Sequence, residues 1–244
     1  TTLMESIDPG EAVALLNAYL DEMIAIAFRH EGTLDRIVGD AVAIMFSAPV
    51  PQADHRARAL ACALDMDAFA SRYAADLQAK GIRFGKTRIG IHSGEVIVGN
   101  FGGSTMFDYR ALGDPVNTAS RLESVNKHLG TNICLSEATL DGCPPETVVR
   151  PVGRLVLKGK SKALQVYEPV TADRAARYAP LADYRAAYDL MAQESADGDA
   201  AALSPALAVF SELAEKFPDD PLLGLHRDRL RAGSHGDLIV MSEK

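Results

Sequence analysis

Three short segments carry side chains able to work on a phosphate. In Thr33-Leu34-Asp35-Arg36-Ile37-Val38-Gly39-Asp40-Ala41, two β-prone runs meet at Gly39-Asp40, a two-residue hairpin signal that holds the Asp40 carboxylate at a tip. A carboxylate so placed can reach a bound cation, although Gly-Asp alone is also an ordinary turn. In Tyr109 to Arg121, Asp114-Pro115 opens a helix, and Asn117 and Arg121 stand four residues apart on one face near its start. Their donors point together beside the positive end of the helix dipole, which suits a phosphorus centre gaining negative charge. A capped surface helix would read the same way. The third segment, Lys158-Gly159-Lys160, follows an apolar strand, and its lysines can meet a polyphosphate as point charges; the plain alternative is a solvated turn.

Composition limits what such groups could serve. The chain has 244 residues, 25 Lys plus Arg against 33 Asp plus Glu, and a formal net charge of -8, and 48% of it is hydrophobic. That fits one or two globular domains. Without a Lys/Arg tract there is no electrostatic footprint for a nucleic acid, while a local basic pocket for a nucleotide's phosphates is compatible with the charge. No charge-free run of eighteen apolar residues occurs, and the first thirty residues lack the order of a signal peptide. Cys62, Cys134 and Cys143 are odd in number and show no CxxC spacing, so they read as reduced thiols of a cytoplasmic domain. A membrane tether or sensor upstream of the sequence is compatible with all of this.

The elements that must position these groups follow from periodicity. Asp8, Pro9 and Glu11 form a capping box for a helix that runs to about His30. Strands are expected over 33–38 and 41–47, a long Ala/Leu helix from Ala53 to about Lys80, and a hairpin pair from Thr87–Ile91 with Val96–Phe101. Gly102 to Asp108 reads as loop, Asp114 to Leu129 as helix, and 132–136, 148–157 and 165–169 as closing strands. Met4, Met23, Met45 and Met66 read as core fillers and His92 as structural. The order implies an α+β sandwich with helices on one face of a mostly antiparallel sheet. After about residue 170 the texture changes to Ala-rich helix broken by Gly198, Pro205, Pro218 and Pro221, with two helices over 181–217 and a short apolar segment, 237–241, suited to an edge strand.

Taken together and in order, GTLDRIVGDAVAIMFSAPV, TRIGIHSGEVIVGNFG, FDYRALGDPVNTASRLESVNK and LVLKGKSKALQVYEPV resemble the catalytic domain of the class III nucleotidyl cyclases, of bacterial type. The resemblance covers residues 1–170 and leaves 171–244 as a C-terminal helical extension. It implies a ferredoxin-like, palm-type fold and conversion of ATP to 3′,5′-cyclic AMP and pyrophosphate at a homodimer interface with shared sites. It also implies two Mg2+ or Mn2+ ions per site. Asp40 matches the second of the family's metal carboxylates, the first belonging to a strand ahead of Thr1. Asn117 and Arg121 match the pair that stabilises the transition state, and Lys158 matches the triphosphate lysine.

Two positions depart from the adenylate cyclase pattern. Arg36 stands where the family usually has Lys, and Arg110 where it usually has Thr, Ser or Asp; both lie at the purine site. Arginine supplies only donors, so Arg110 cannot accept from the adenine amino group, and two cations in one pocket call for a counter-charge such as Asp35 or Asp108. Two alternatives therefore stand beside adenylate cyclase activity: a degenerate nucleotide-binding or dimerising regulatory module, and a cyclase with altered, guanine preference.

Overall fold

A computed structural model describes residues 7–103, 105–194 and 204–241; the expected core role of Met4, the stretch Thr1 to Ser6 and the Gly198 break lie outside them. Asp8 caps the first helix, α1 (Pro9–Arg29), by accepting from Gly10 N at 2.8 Å and Glu11 N at 3.3 Å, and Pro9 fills a first-turn position that needs no donor. A hairpin follows, β1 (Thr33–Val38) with β2 (Ala41–Met45), turned by Gly39 at φ +63°. The long helix α2 (His55–Ala79) packs on α1: Tyr19, Met23 and Ile26 meet Cys62, Met66 and Ala70, so Met23 and Met66 are core residues and Met45 is half-buried.

The remaining elements are β3 (Ile89–Ile91), β4 (Ile97–Gly102), β5 (Phe107–Leu112), α3 (Asp114–Leu129), β6 (Ile133–Ser136), α4 (Glu137–Leu140), β7 (Val149–Val156) and β8 (Leu164–Pro169), then α5 (Ala172–Ala175), α6 (Leu181–Gln193), α7 (Pro205–Lys216), α8 (Pro221–Arg231) and β9 (Leu238–Val240). Five strands form one mixed sheet in the order β3-β6-β8-β7-β9, parallel at β3-β6 and β7-β9 and antiparallel between.

The expected pairing of 87–91 with 96–101 is not what forms. β3 instead pairs in parallel with β6, while β4 turns back on β5 through a tight turn in which Gly103 N donates to Met106 O at 2.9 Å. The segment read as loop therefore supplies the start of β5. Gly90 explains why β3 lies where it does. A Cβ there would fall 2.2 Å from the backbone of Ala119 and Glu123, so only glycine lets α3 lie this close on the sheet.

Alternation along β6 separates two helical layers. Ile133 and Leu135 face α2 with Leu60 and Ala63, whereas Cys134 faces the opposite side, with α3 and the helices after residue 180. Helices thus cover both faces, not one, because α3 and the C-terminal helices share a single core with β7 and β8. Tyr184, Phe210, Leu222 and Leu223 of these helices are fully buried there, beside Leu122, Val125 and Leu129 of α3. The third helix of this segment, α8, was not among the two expected; its own signals, Asp220 as cap and Pro221 at the first position, match a standard helix start.

Candidate active site

Asn117 and Arg121 sit in the first turns of α3, Asn117 exposed and Arg121 half-buried. The turn after β7 carries Lys158, Gly159 and Lys160 to this same end of the helix. Gly159 adopts φ +73°, and a Cβ built on it would lie 3.5 Å from Arg121 Nη2. Lys160 donates to the carboxylate of Asp114, the first residue of α3, and its own amide closes the turn on Leu157 O at 2.9 Å. Bonding to Lys160, more than any other influence, holds the Asp114 carboxyl below its ordinary range. Lys158 is left exposed at the apex. The Arg121 guanidinium, the lysine turn and the positive end of a helix dipole therefore lie at one end of α3, an arrangement suited to a polyphosphate.

His92 lies behind this patch. Its Nδ1 is 2.9 Å from Ser136 Oγ, and burial together with the nearby Lys160 charge lowers its pKa, against an opposing pull from Asp114. It buttresses the end of the sheet.

The two positions that the resemblance puts at the purine, Arg36 and Arg110, come together through the backbone of Ala111. Asp35 occupies a register shift in β1, where a bulge turns its side chain out of the β1-β2 ladder. There Asp35 Oδ1 accepts from Ala111 N at 2.6 Å, and Arg36 Nη2 donates to Ala111 O at 3.2 Å. The two hairpins are thus locked edge to edge by side chains. Each arginine is also paired with an acid: Arg36 Nε donates to Asp35 Oδ2 and Arg110 Nη2 to Asp108 Oδ2, both at 2.5 Å. The site carries two cations and the two counter-charges that they need.

Asp40 stands exposed at the β1-β2 turn, four residues past Arg36, and no hydrogen bond or ion pair among the described residues joins it to Asn117, Arg121 or Lys158. No three His, Cys, Asp or Glu side chains among the described residues cluster as a ligand set. A single hard-oxygen donor on a turn fits one position of a Mg2+ shell, whose other places phosphate oxygens and water can fill. Both hairpins also expose large apolar side chains: Ile97, Met106 and Phe107 are 72%, 75% and 62% exposed, and Val38 is 64% exposed. Water-facing side chains of this kind, grouped on two hairpins, are the mark of a surface made to be covered.

The sequence model of the adenylate and guanylate cyclase catalytic domain matches residues 1–168. Among curated proteins, adenylate cyclase 1 of Rhizobium meliloti is 38% identical over 175 residues, which are 72% of this chain and 26% of that protein. An adenylate cyclase of Anabaena cylindrica is 32% identical over 172 residues, 69% of this chain and 34% of that protein. The match thus spans between a quarter and about a third of these relatives' length. Among solved structures, the adenylyl cyclase CyaB from P. aeruginosa superposes with a TM-score of 0.64 at 33% identity, covering 70% of this chain and 87% of that one. The guanylyl cyclase Cya2 does so at 0.58 and 28% identity, covering 69% and 84%.

Proposed function

The chain belongs to the adenylate and guanylate cyclase catalytic-domain family, and from that membership we propose that it is an adenylate cyclase, turning ATP into 3′,5′-cyclic AMP and pyrophosphate. In the reaction the 3′-oxygen forms a bond to the α-phosphorus while the bond from that phosphorus to the pyrophosphate oxygen breaks. The observation that carries this reading is the Lys158 turn seated against Arg121 at the start of α3. Lys158 binds the triphosphate tail as a point charge. Arg121 meets the charge that gathers on the α-phosphoryl oxygens, where its fixed fork is worth more than in the ground state. Asn117, one turn earlier, orients the ribose so that the 3′-oxygen attacks in line.

The family uses divalent cations, and two of them polarise the attacking hydroxyl and neutralise the leaving tail when bound. Asp40 is the residue of this chain that would hold them. Among the described residues no hydrogen bond or ion pair joins Asp40 to Asn117 or Arg121, and the exposed apolar side chains on the hairpins call for a cover; both support two copies that pair head to tail and share each site.

Base choice rests on the paired arginines. Adenine offers an amino donor, and arginine accepts nothing. The acceptor is supplied by Asp108, held beside Arg110, while Arg36 donates to a ring nitrogen. The test is to assay the purified protein with manganese and ATP or GTP for cyclic nucleotide and pyrophosphate. Cyclic AMP from ATP supports the reading, cyclic GMP alone reassigns the base, and no product from either leaves a regulatory nucleotide-binding module.

A further inference from the structure

We infer that the elements α6, α7, α8 and β9 are a positioning element of the catalytic unit: they clasp α3 and β7 together so that Arg121 and Lys158 keep a fixed separation. The inference rests on the reading of Arg121 and Lys158 as triphosphate contacts given above.

The clasp has two ends. At one, Pro221 of α8 seats against Gly130, the left-handed residue that stops α3 at φ +76°; a Cβ there would lie 2.6 Å from Pro221 Cβ. At the other, β9 adds itself in parallel to β7. Arg154 N donates to Asp237 O at 2.9 Å, and Met241 N donates to Val156 O at 3.0 Å, two residues before Lys158. The last backbone bond of the sheet thus fixes the strand end from which the lysine turn springs.

Between the ends lies a buried polar link. Arg150 of β7 is 1% exposed, donates to Glu168 at 2.8 Å and to Asp220, the α8 cap, at 2.6 Å, and lies 4.3 Å and 4.8 Å from the ring centres of Tyr178 and Tyr184. Removing either acid would leave a buried guanidinium short of a partner, so the link holds α8 in a single place on β7. Surface docking of an independent module would not bury an ion pair of this kind.

The consequence is a defined coupling. Loosening β9 frees the Lys158 turn without touching the ligand, so it weakens triphosphate binding through Lys158 and through nothing else. The experiment uses the full chain with Met241→Pro, which removes the donor to Val156 O, alone and combined with Lys158→Ala. Alone, Met241→Pro is expected to raise KM for the triphosphate roughly three- to tenfold with a small change in melting temperature; on the Lys158→Ala background it adds less than about twofold. Independent, fully multiplying effects overturn the clasp, as does an unchanged KM. Hydrogen exchange of the Lys160 amide gives a second readout: faster exchange in Met241→Pro supports the clasp, and an unchanged rate overturns it. If the unsubstituted protein makes no cyclic nucleotide, the functional reading falls instead, and the exchange rate alone decides the clasp.

Discussion

Arg110 donates to Asp108 at 2.5 Å across one side of β5, two residues back along the strand, so the cation that breaks the adenine pattern brings its own carboxylate. The pair offers both a donor and an acceptor where a lone threonine or aspartate would offer one side chain. From this follows an expected specificity change. Asp108→Ala removes the acceptor for the adenine amino group but leaves Arg110 to donate to a guanine carbonyl. The ratio of kcat/KM for ATP to that for GTP should fall about tenfold, the scale set by leaving a base amino group unpaired. Steady-state assays with both nucleotides check it, and an unchanged ratio would remove Asp108 from base recognition.

Arg121 and Lys158 meet the same ligand but should fail differently. Arg121 serves charge that exists fully only in the transition state, so Arg121→Ala is expected to lower kcat roughly 100-fold or more with little change in KM. Lys158 meets charge already present on the bound triphosphate, so Lys158→Ala should act mainly on KM, by about tenfold. Neither side chain is in the core, so circular dichroism and melting curves should match the parent protein. Exchanged signatures, with kcat lost at Lys158 and KM lost at Arg121, would reverse the two roles.

How far the sequence could lead is visible in these residues. The helix carrying Asn117 and Arg121 was legible because its Asp114-Pro115 opening and its periodicity are local, and so was the Gly39-Asp40 turn, which β1 and β2 flank as expected. The partner of β3 was not legible. A three-residue strand has almost no pattern of its own, and its place is set by Gly90, whose missing side chain admits α3 from thirty residues away. The closeness of Lys158 and Arg121 came only from the family resemblance, since a turn and a helix start carry no mutual signal. The burial of α6, α7 and α8 in one core with α3 was equally hidden. Their amphipathic spacing shows that an apolar face needs cover and says nothing about what covers it.

Shared sites predict complementation. Asp40→Ala and Asn117→Ala each strike one half of a site built from two chains, so either protein alone is expected to be inactive. Mixed in equal amounts and allowed to exchange, half of the dimers are heterodimers, each with one intact and one doubly damaged site. Recovery should approach roughly a quarter of the parent activity. Charge-tagged copies separated after mixing would confirm exchange. Exchange without recovered activity would place both residues in one chain's site.

His226 predicts how stability depends on pH. Its ring is fully buried on α8, where Arg229 Nη1 lies 3.4 Å from Nδ1 and Tyr184 Oη 3.2 Å from Nε2, and Tyr184 in turn donates to Pro151 O at 2.7 Å. That chain of bonds assigns the proton to Nε2 and leaves Nδ1 to accept, an arrangement that only a neutral ring can make. Burial, followed by the charges of Arg229 and Arg150, lowers the folded pKa from 6.5 to about 3. Between those values the unfolded chain binds a proton that the folded chain refuses, so stability is complete above about pH 6.5 and falls as the pH drops below it. The loss from this one group is on the order of 1 kcal/mol per pH unit. Urea unfolding between pH 7.5 and 5, above the range where most carboxylates titrate, should show that slope in the parent protein. His226→Gln, which cannot take up the proton, should be less stable at neutral pH yet flatter by about one proton's worth of slope. An equal slope in both would mean that the ring is reached by solvent, and with it the buried seam between α8 and β7 would open.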